Sequence, residues 1–140
     1  MDFSSINFLG VLVAFLVNFI VGFIWFGPKT FFPVWWKALG KQGDPGEGAN
    51  MVTVFASTAV AGLISASGLA LIFDLLARTG SDIDQALGFG TGLTVGLLTV
   101  AAPALSHRLF AGNGFKVWLL EVGADVVAFA FMGIALSYFY

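Results

Sequence analysis

Four stretches of this chain are long and apolar enough to cross a lipid bilayer as helices. They lie at about residues 5–26, 51–76, 83–105 and 116–138. A membrane-spanning helix needs roughly 20 predominantly apolar residues, because each residue advances a helix by about 1.5 Å and the hydrocarbon core is about 30 Å thick. The 140 residues therefore predict one all-α membrane domain, a bundle of four transmembrane helices.

The composition supports a membrane protein and excludes several functions. Hydrophobic residues make up 59% of the chain and charged residues only 10%, whereas a soluble domain carries about 25% charged residues. A net charge of −2 offers no basic surface for nucleic acid. There is no cysteine, and no nucleophile lies in an obvious arrangement with a base or a metal-ligand spacing. We expect no cofactor, no metal and no enzymatic activity.

The segment after the first apolar run predicts a short amphipathic helix at the membrane surface. Pro28 ends the first run, because the residue before a proline is pushed out of the α region. Residues 29–40 then combine aromatic and basic side chains, with Trp35, Trp36 and Lys37 at their centre. Such side chains are typical of the headgroup layer. The cluster is interpreted as a membrane anchor, or alternatively as a binding surface for an anionic lipid or a protein.

The basic residues predict the orientation of the four spans. Five of the six flank the first and third loops, and only Arg78 lies on the other side. Because cytoplasmic loops are enriched in lysine and arginine, we expect the five to be cytoplasmic and both termini to lie outside. The four tryptophans mark the same inner boundary, and the two tyrosines mark the outer one. A bacterial inner membrane is the expected location.

Two acidic residues inside the fourth span are the main candidates for chemistry. Glu121 and Asp125 are four residues apart, so they share one helix face. Carboxylates are costly in lipid and must face the bundle interior, a water-filled cleft or a partner. Counted from the ends of the spans, Asn18 lies at the depth of Asp125, which predicts a hydrogen bond between them. The site is either a proton- or cation-accepting centre, or a structural interhelical bond beside a hydrated Glu121.

Three further residues near the predicted inner boundary are candidates for an interfacial site or a gate. His107 and Arg108 end the third span, where they face either lipid phosphates or Glu121. A lone histidine can titrate near neutral pH but does not make a metal site. Trp25 lies at a depth similar to that of Glu121, so it is a candidate for a cytoplasmic gate if it faces the fourth span.

Small residues recur every four positions in three of the spans and favour close helix packing. They are Gly10, Ala14, Asn18 and Gly22 in the first span, Thr58, Gly62, Ala66 and Ala70 in the second, and Gly88, Gly92 and Gly96 in the third. These ladders exceed the obvious needs of one short bundle. We therefore expect a homo-oligomer, most simply a symmetric dimer.

The sequence around the first boundary also carries a family resemblance. The run GFIWFGP at 22–28, followed by Trp35 or Trp36, resembles the G-x-x-W-Y-G-P motif of the DUF1761 family of small bacterial and fungal membrane proteins. Phe26 replaces the usual tyrosine. The pairs at 109–110 and 132–133 are also similar to that family. The resemblance implies a four-helix integral membrane protein. It brings no established activity and no functional residue.

Two functions remain open from the sequence. The first is a structural or accessory membrane protein that binds lipid or another membrane protein. The second is a small homo-oligomeric transporter or channel that uses protonatable Glu121 and Asp125.

Overall fold

The computed structural model describes residues 6–43 and 50–140, and within them it contains helices and no strand. The helices are α1 (Phe8–Trp25), α2 (Phe32–Ala38), α3 (Met51–Arg78), α4 (Gln85–Val95), a π-helical turn (Gly96–Ala101), α5 (Ala102–Phe110) and α6 (Gly114–Leu136). Four stretches, with α4 to α5 taken as one, are long and apolar enough to span a membrane, which confirms the predicted fold class. Residue 5 of the first predicted span and 44–49 of the following loop lie outside the described residues.

Local signals in the sequence set the ends of α1. The Asn7 side chain caps its first turn by accepting a hydrogen bond from the amide of Gly10 at 3.0 Å. The helix stops at Trp25, just before Pro28, as the sequence predicts. The Thr30 hydroxyl then donates to the carbonyl of Trp25 at 2.7 Å, which satisfies a carbonyl that the ended helix leaves free. This turn leads the chain into α2.

The third span is longer than predicted and is distorted before Pro103. The π-helical turn precedes α5, which has a proline in its first turn. A proline ring clashes with the carbonyl four residues earlier, and that carbonyl belongs to Thr99 in the π-helical turn. The helix then continues past the expected end at 105. It stops before Gly112, whose φ of 75° is a conformation that favours glycine.

Helix α6 is the centre of the fold. It packs against α1, α4, the π-helical turn and α5, while α3 packs mainly on α1. Helix α1 is antiparallel to α6, because Gly10 lies against Phe139 and Trp25 lies against Gly123. We call the end with Trp25, α2 and Arg108 the basic end. The end with Phe73 and Tyr140 is the tyrosine end.

The glycine ladder of α4 is used inside the chain. A Cβ on Gly88 would meet the Gly133 backbone, one on Gly92 would overlap the Phe129 carbonyl, and one on Gly96 would lie 3.0 Å from Val126 Cα. These contacts allow the α4 and α6 backbones to touch. The expectation that the ladder exceeds the needs of one chain was therefore wrong for α4.

Helix α3 is packed at one end and free at the other. Toward the tyrosine end, Ala66, Leu69 and Phe73 share a buried core with Met132 and Leu136 of α6. Toward the basic end, every residue of 51–58 is exposed. The rest of the described chain thus leaves the first two turns of α3 uncovered.

Helices α3 and α6 run in the same direction, and their contacts with α1 relate their depths. Gly10 of α1 lies against Phe139 and Trp25 lies against Gly123, so Asn18, between them, is level with about residue 130. Asn18 also lies against Gly62 of α3. A residue of α3 is therefore level with the α6 residue about 67 to 68 positions later. By this register Ser57 is level with Ala124 and Asp125.

Candidate functional site at the basic end of helix α6

Glu121 is held by side chains from two other helices. Arg108 Nε of α5 lies 2.6 Å from Glu121 Oε2, at the distance of a salt bridge but without the alignment of a hydrogen bond. Trp35 Nε1 of α2 donates to Glu121 Oε1 at 3.0 Å. The Glu121 side chain is only 17% exposed. Of the two predicted neighbours of Arg108, lipid phosphate or Glu121, the structure shows Glu121.

Trp25 faces α6, as the gate hypothesis requires. Its Nε1 donates to the carbonyl of Leu120 at 2.9 Å. Its ring covers Gly123, where an added Cβ would come within 2.9 Å of it. Glycine at this position lets the indole lie flat on the helix. The gate role itself remains a prediction.

The other two tryptophans lie near the same end of the bundle. Trp118 Nε1 donates to the carbonyl of Ala101 at 2.9 Å, which ties α6 to the π-helical turn. Trp36 stacks on Phe32 and lies under Lys41 Nζ, 4.8 Å from the ring centroid. Its Nε1 is buried without a hydrogen-bond partner. Tryptophans are enriched at membrane surfaces, so the level of these side chains marks a boundary of the apolar layer. Glu121 lies at that boundary.

Asp125 lies one turn further into the apolar layer and has no partner. Four residues separate it from Glu121, which is about 6 Å along the helix. Its side chain is exposed, and it makes neither a hydrogen bond nor an ion pair within the described part of the chain. A carboxyl group at this depth needs water, an ion or a hydrogen-bond donor from outside the chain.

The expected hydrogen bond between Asn18 and Asp125 was wrong. Asn18 Nδ2 instead packs against Gly62 of α3. A Cβ atom added to Gly62 would lie 2.9 Å from this nitrogen. Gly62 is level with about Phe129, one turn nearer the tyrosine end than Asp125. The prediction assumed that the ends of α1 and α6 are level. The structure shows instead that α6 begins well before Gly123, the residue opposite the end of α1.

The two acidic residues lie on one helix face that is covered at Glu121 and beyond Ala128 but exposed at Asp125. Glu121 and Asp125 continue, at helical spacing, the stripe of Ala128, Met132 and Leu136. The latter three are buried, and Met132 and Leu136 share their core with α3. The stripe is uncovered at Asp125, because the first turns of α3 stand apart and α3 barely touches α4 or α5. We call this uncovered part of α6 at Asp125, between α3 and the α4–α5 helix, the groove.

The carboxyl group of Asp125 in the groove suits a hydrogen-bond donor or a cation. The described residues contain no group of three or more histidine, aspartate or glutamate side chains that could hold a metal. His107 is exposed and does not join Glu121. The sequence reasoning missed the bond from Trp35 to Glu121. Both residues were placed near one boundary, but only the return of α2 toward α6 brings them into contact.

The fold and this site define a small multi-pass helical membrane protein with an acidic groove at one end. The chain belongs to the DUF1761 family, described as a protein of unknown function, whose family model matches residues 9–137. The predicted family is thus confirmed over nearly the whole chain. No curated protein and no solved structure matches it.

Proposed function

We propose that this protein is an accessory membrane protein that binds another component of the membrane through the groove over α6. The observation that carries the proposal is Asp125, an exposed carboxyl group one turn inside the tryptophan level with no partner in the described chain. An unpaired carboxyl group is costly there, and a bound donor removes that cost. The neighbouring Glu121 is already occupied by Arg108 and Trp35.

The test extracts four proteins in mild detergent and identifies by native mass spectrometry what copurifies with each of them. Asp125→Asn keeps hydrogen-bonding capacity, and Asp125→Leu removes it. We expect the wild type and Asp125→Asn to retain a bound component, and Asp125→Leu to lose at least about tenfold in occupancy, which is about 1.4 kcal/mol. Leu119→Ala, at another exposed position of α6, is the control. Equal occupancy in all four proteins would reject the proposal.

A second candidate, acid-dependent transport, is favoured by the shape of the groove. It is open at Asp125 and closed toward the tyrosine end by the core around Phe73 and Met132. Glu121, with its partners Arg108 and Trp35, lies between Asp125 and the basic end. That is the form of a one-sided pathway with a protonatable group in it. The test measures proton or cation flux in liposomes for the wild type and for Glu121→Gln with Asp125→Asn. Flux that is absent, or unchanged in the variant, would exclude this mechanism.

We further propose that the basic end faces the cytoplasm of a bacterial cell and that both termini face outward. The support is the distribution of lysine and arginine, five of six on that side.

A further inference from the structure

Asp125 and Ser57 are two polar groups at one depth that cannot meet within one chain. The register of α3 and α6 makes them level. Ser57, however, lies five residues from Gly62, or about 140° around the helix at 100° per residue. Gly62 lies on the face packed against α1. Ser57 therefore points away from its own α6, and the hydroxyl makes no hydrogen bond within the described residues.

Two other hydroxyl groups of α3, unlike those of Ser57 and Ser65, donate to a carbonyl of their own helix. Thr58 donates to the carbonyl of Val54 at 2.9 Å, and Ser67 donates to that of Leu63 at 2.8 Å. Ser57 makes no such bond and is exposed. On the same side of α3, Ala61 and Gly68 are small and exposed, and Ile64 between them is 67% exposed, so this side offers apolar surface to a second helix.

The orientation of a membrane protein limits how two copies can pair. Copies of one sequence insert with the same side inward, so the two-fold axis of a dimer runs along the membrane normal. Rotation about that axis leaves every residue at its own depth in the membrane. Ser57 of one copy is therefore at the depth of Asp125 of the other, on whichever side of the protein the axis lies.

We propose that the groove over α6 is filled by α3 of a second copy, so that Ser57 donates a hydrogen bond to Asp125 of the partner subunit in a symmetric dimer. Each copy gives one donor and one acceptor, so the dimer contains two equal sites. This inference rests on the proposed function and names its bound component. The uncovered turns 51–58 of α3 are then covered by the partner.

The first experiment uses photocrosslinking in the native membrane. A photoreactive amino acid replaces Ala61, one turn from Ser57 on the same side. The control replaces Phe23 of α1, which is exposed, lies near the depth of Asp125 because Trp25 is opposite Gly123, and points away from α3 and α6. We expect a product of dimer mass from position 61, mapped to 121–129 of the partner, and none from position 23. A dimer product from both positions, or from neither, would overturn the proposed interface.

The second experiment measures the dimer dissociation constant in detergent by native mass spectrometry. Ser57→Ala and Asp125→Leu each remove one partner of the bond, and we expect each to raise the constant about tenfold or more. Ser67→Ala, whose hydroxyl bonds its own helix, leaves it unchanged. Asp125→Asn retains the dimer because an amide oxygen still accepts the hydrogen bond.

The outcomes separate this inference from the proposed function. A monomer that carries a lipid or another protein, lost in Asp125→Leu, overturns the dimer and leaves the binding role standing. A monomer that carries nothing overturns both. Ser57→Ala changes an exposed residue that is not acidic, so we expect it to fold. It therefore tests the proposed bond even if Asp125→Leu does not fold.

Discussion

Glu121 illustrates how a carboxylate near the edge of the apolar layer is stabilised by residues far away in the sequence. Arg108 and Trp35 reach it from two different helices. The ion pair is partly hydrated, since the Arg108 side chain is 44% exposed. Solvent screening therefore reduces its contribution to stability. The larger effect is the cost of leaving Glu121 without its cation.

The variant Arg108→Ala tests this at the scale of one residue. It leaves a largely buried carboxylate with only the Trp35 hydrogen bond, so we expect a loss of about 1–3 kcal/mol in the free energy of unfolding. The double variant Arg108→Ala with Glu121→Gln removes the uncompensated charge and should recover part of that loss. Thermal unfolding in detergent measures both. A double variant less stable than the single one would contradict this account.

A tryptophan hydrogen bond provides a second residue-scale prediction. Trp118→Phe frees the carbonyl of Ala101, and we expect it to cost about 0.5–1.5 kcal/mol in the free energy of unfolding. Trp36→Phe is the matched control, because the Trp36 Nε1 has no partner to lose. Both variants replace an indole ring by a smaller phenyl ring, so the difference between their melting temperatures mainly reports the lost hydrogen bond. Equal losses would show that the Trp118 bond contributes nothing.

At the scale of elements, the packing of α4 on α6 depends on where glycine occurs and on which face. Gly92 lies in the contact, whereas Gly90 has nothing within 4 Å of an added Cβ. Both belong to the same helix, so their intrinsic helix propensities are alike. Any difference between alanine variants at the two positions reports the contact.

We expect Gly92→Ala to destabilise the fold by roughly 1–3 kcal/mol, because the new methyl group overlaps the Phe129 carbonyl and forces the helices apart. Gly90→Ala should be neutral or slightly stabilising, since alanine favours the helix by up to about 1 kcal/mol over glycine. The check is thermal unfolding of both variants in the same detergent. A Gly92→Ala variant as stable as the wild type would refute the close contact.

At the scale of the whole molecule, the orientation in the membrane can be tested directly because the chain has no cysteine. We expect Ser81→Cys, in the turn between α3 and α4, to react with a membrane-impermeant thiol reagent added to intact cells. Lys37→Cys in α2 should react only after the membrane is opened. The reverse pattern would invert the proposed orientation. It would leave the four-span fold untouched.

The sequence determined the spans and the boundaries between them. Length and apolarity are local properties, and proline, glycine and the cap residue Asn7 act within a turn or two. The resemblance to the family was local as well, concentrated at 22–28. The presence of acidic residues inside the fourth span could also be read directly, because a charge in lipid is anomalous wherever it occurs.

Only the tertiary structure decided which polar groups meet. Asn18 was paired with Asp125 by counting from helix ends, but the packing of α1 and α3 on α6 shifts their levels by about one helical turn. The glycine ladder was assigned to a second chain, and the fold uses it for α6. Trp35 reaches Glu121 only because α2 turns back. Depth offsets and helix rotation depend on contacts between distant segments, which no local pattern encodes. The lone carboxyl group of Asp125 became visible only once every neighbouring helix had been placed.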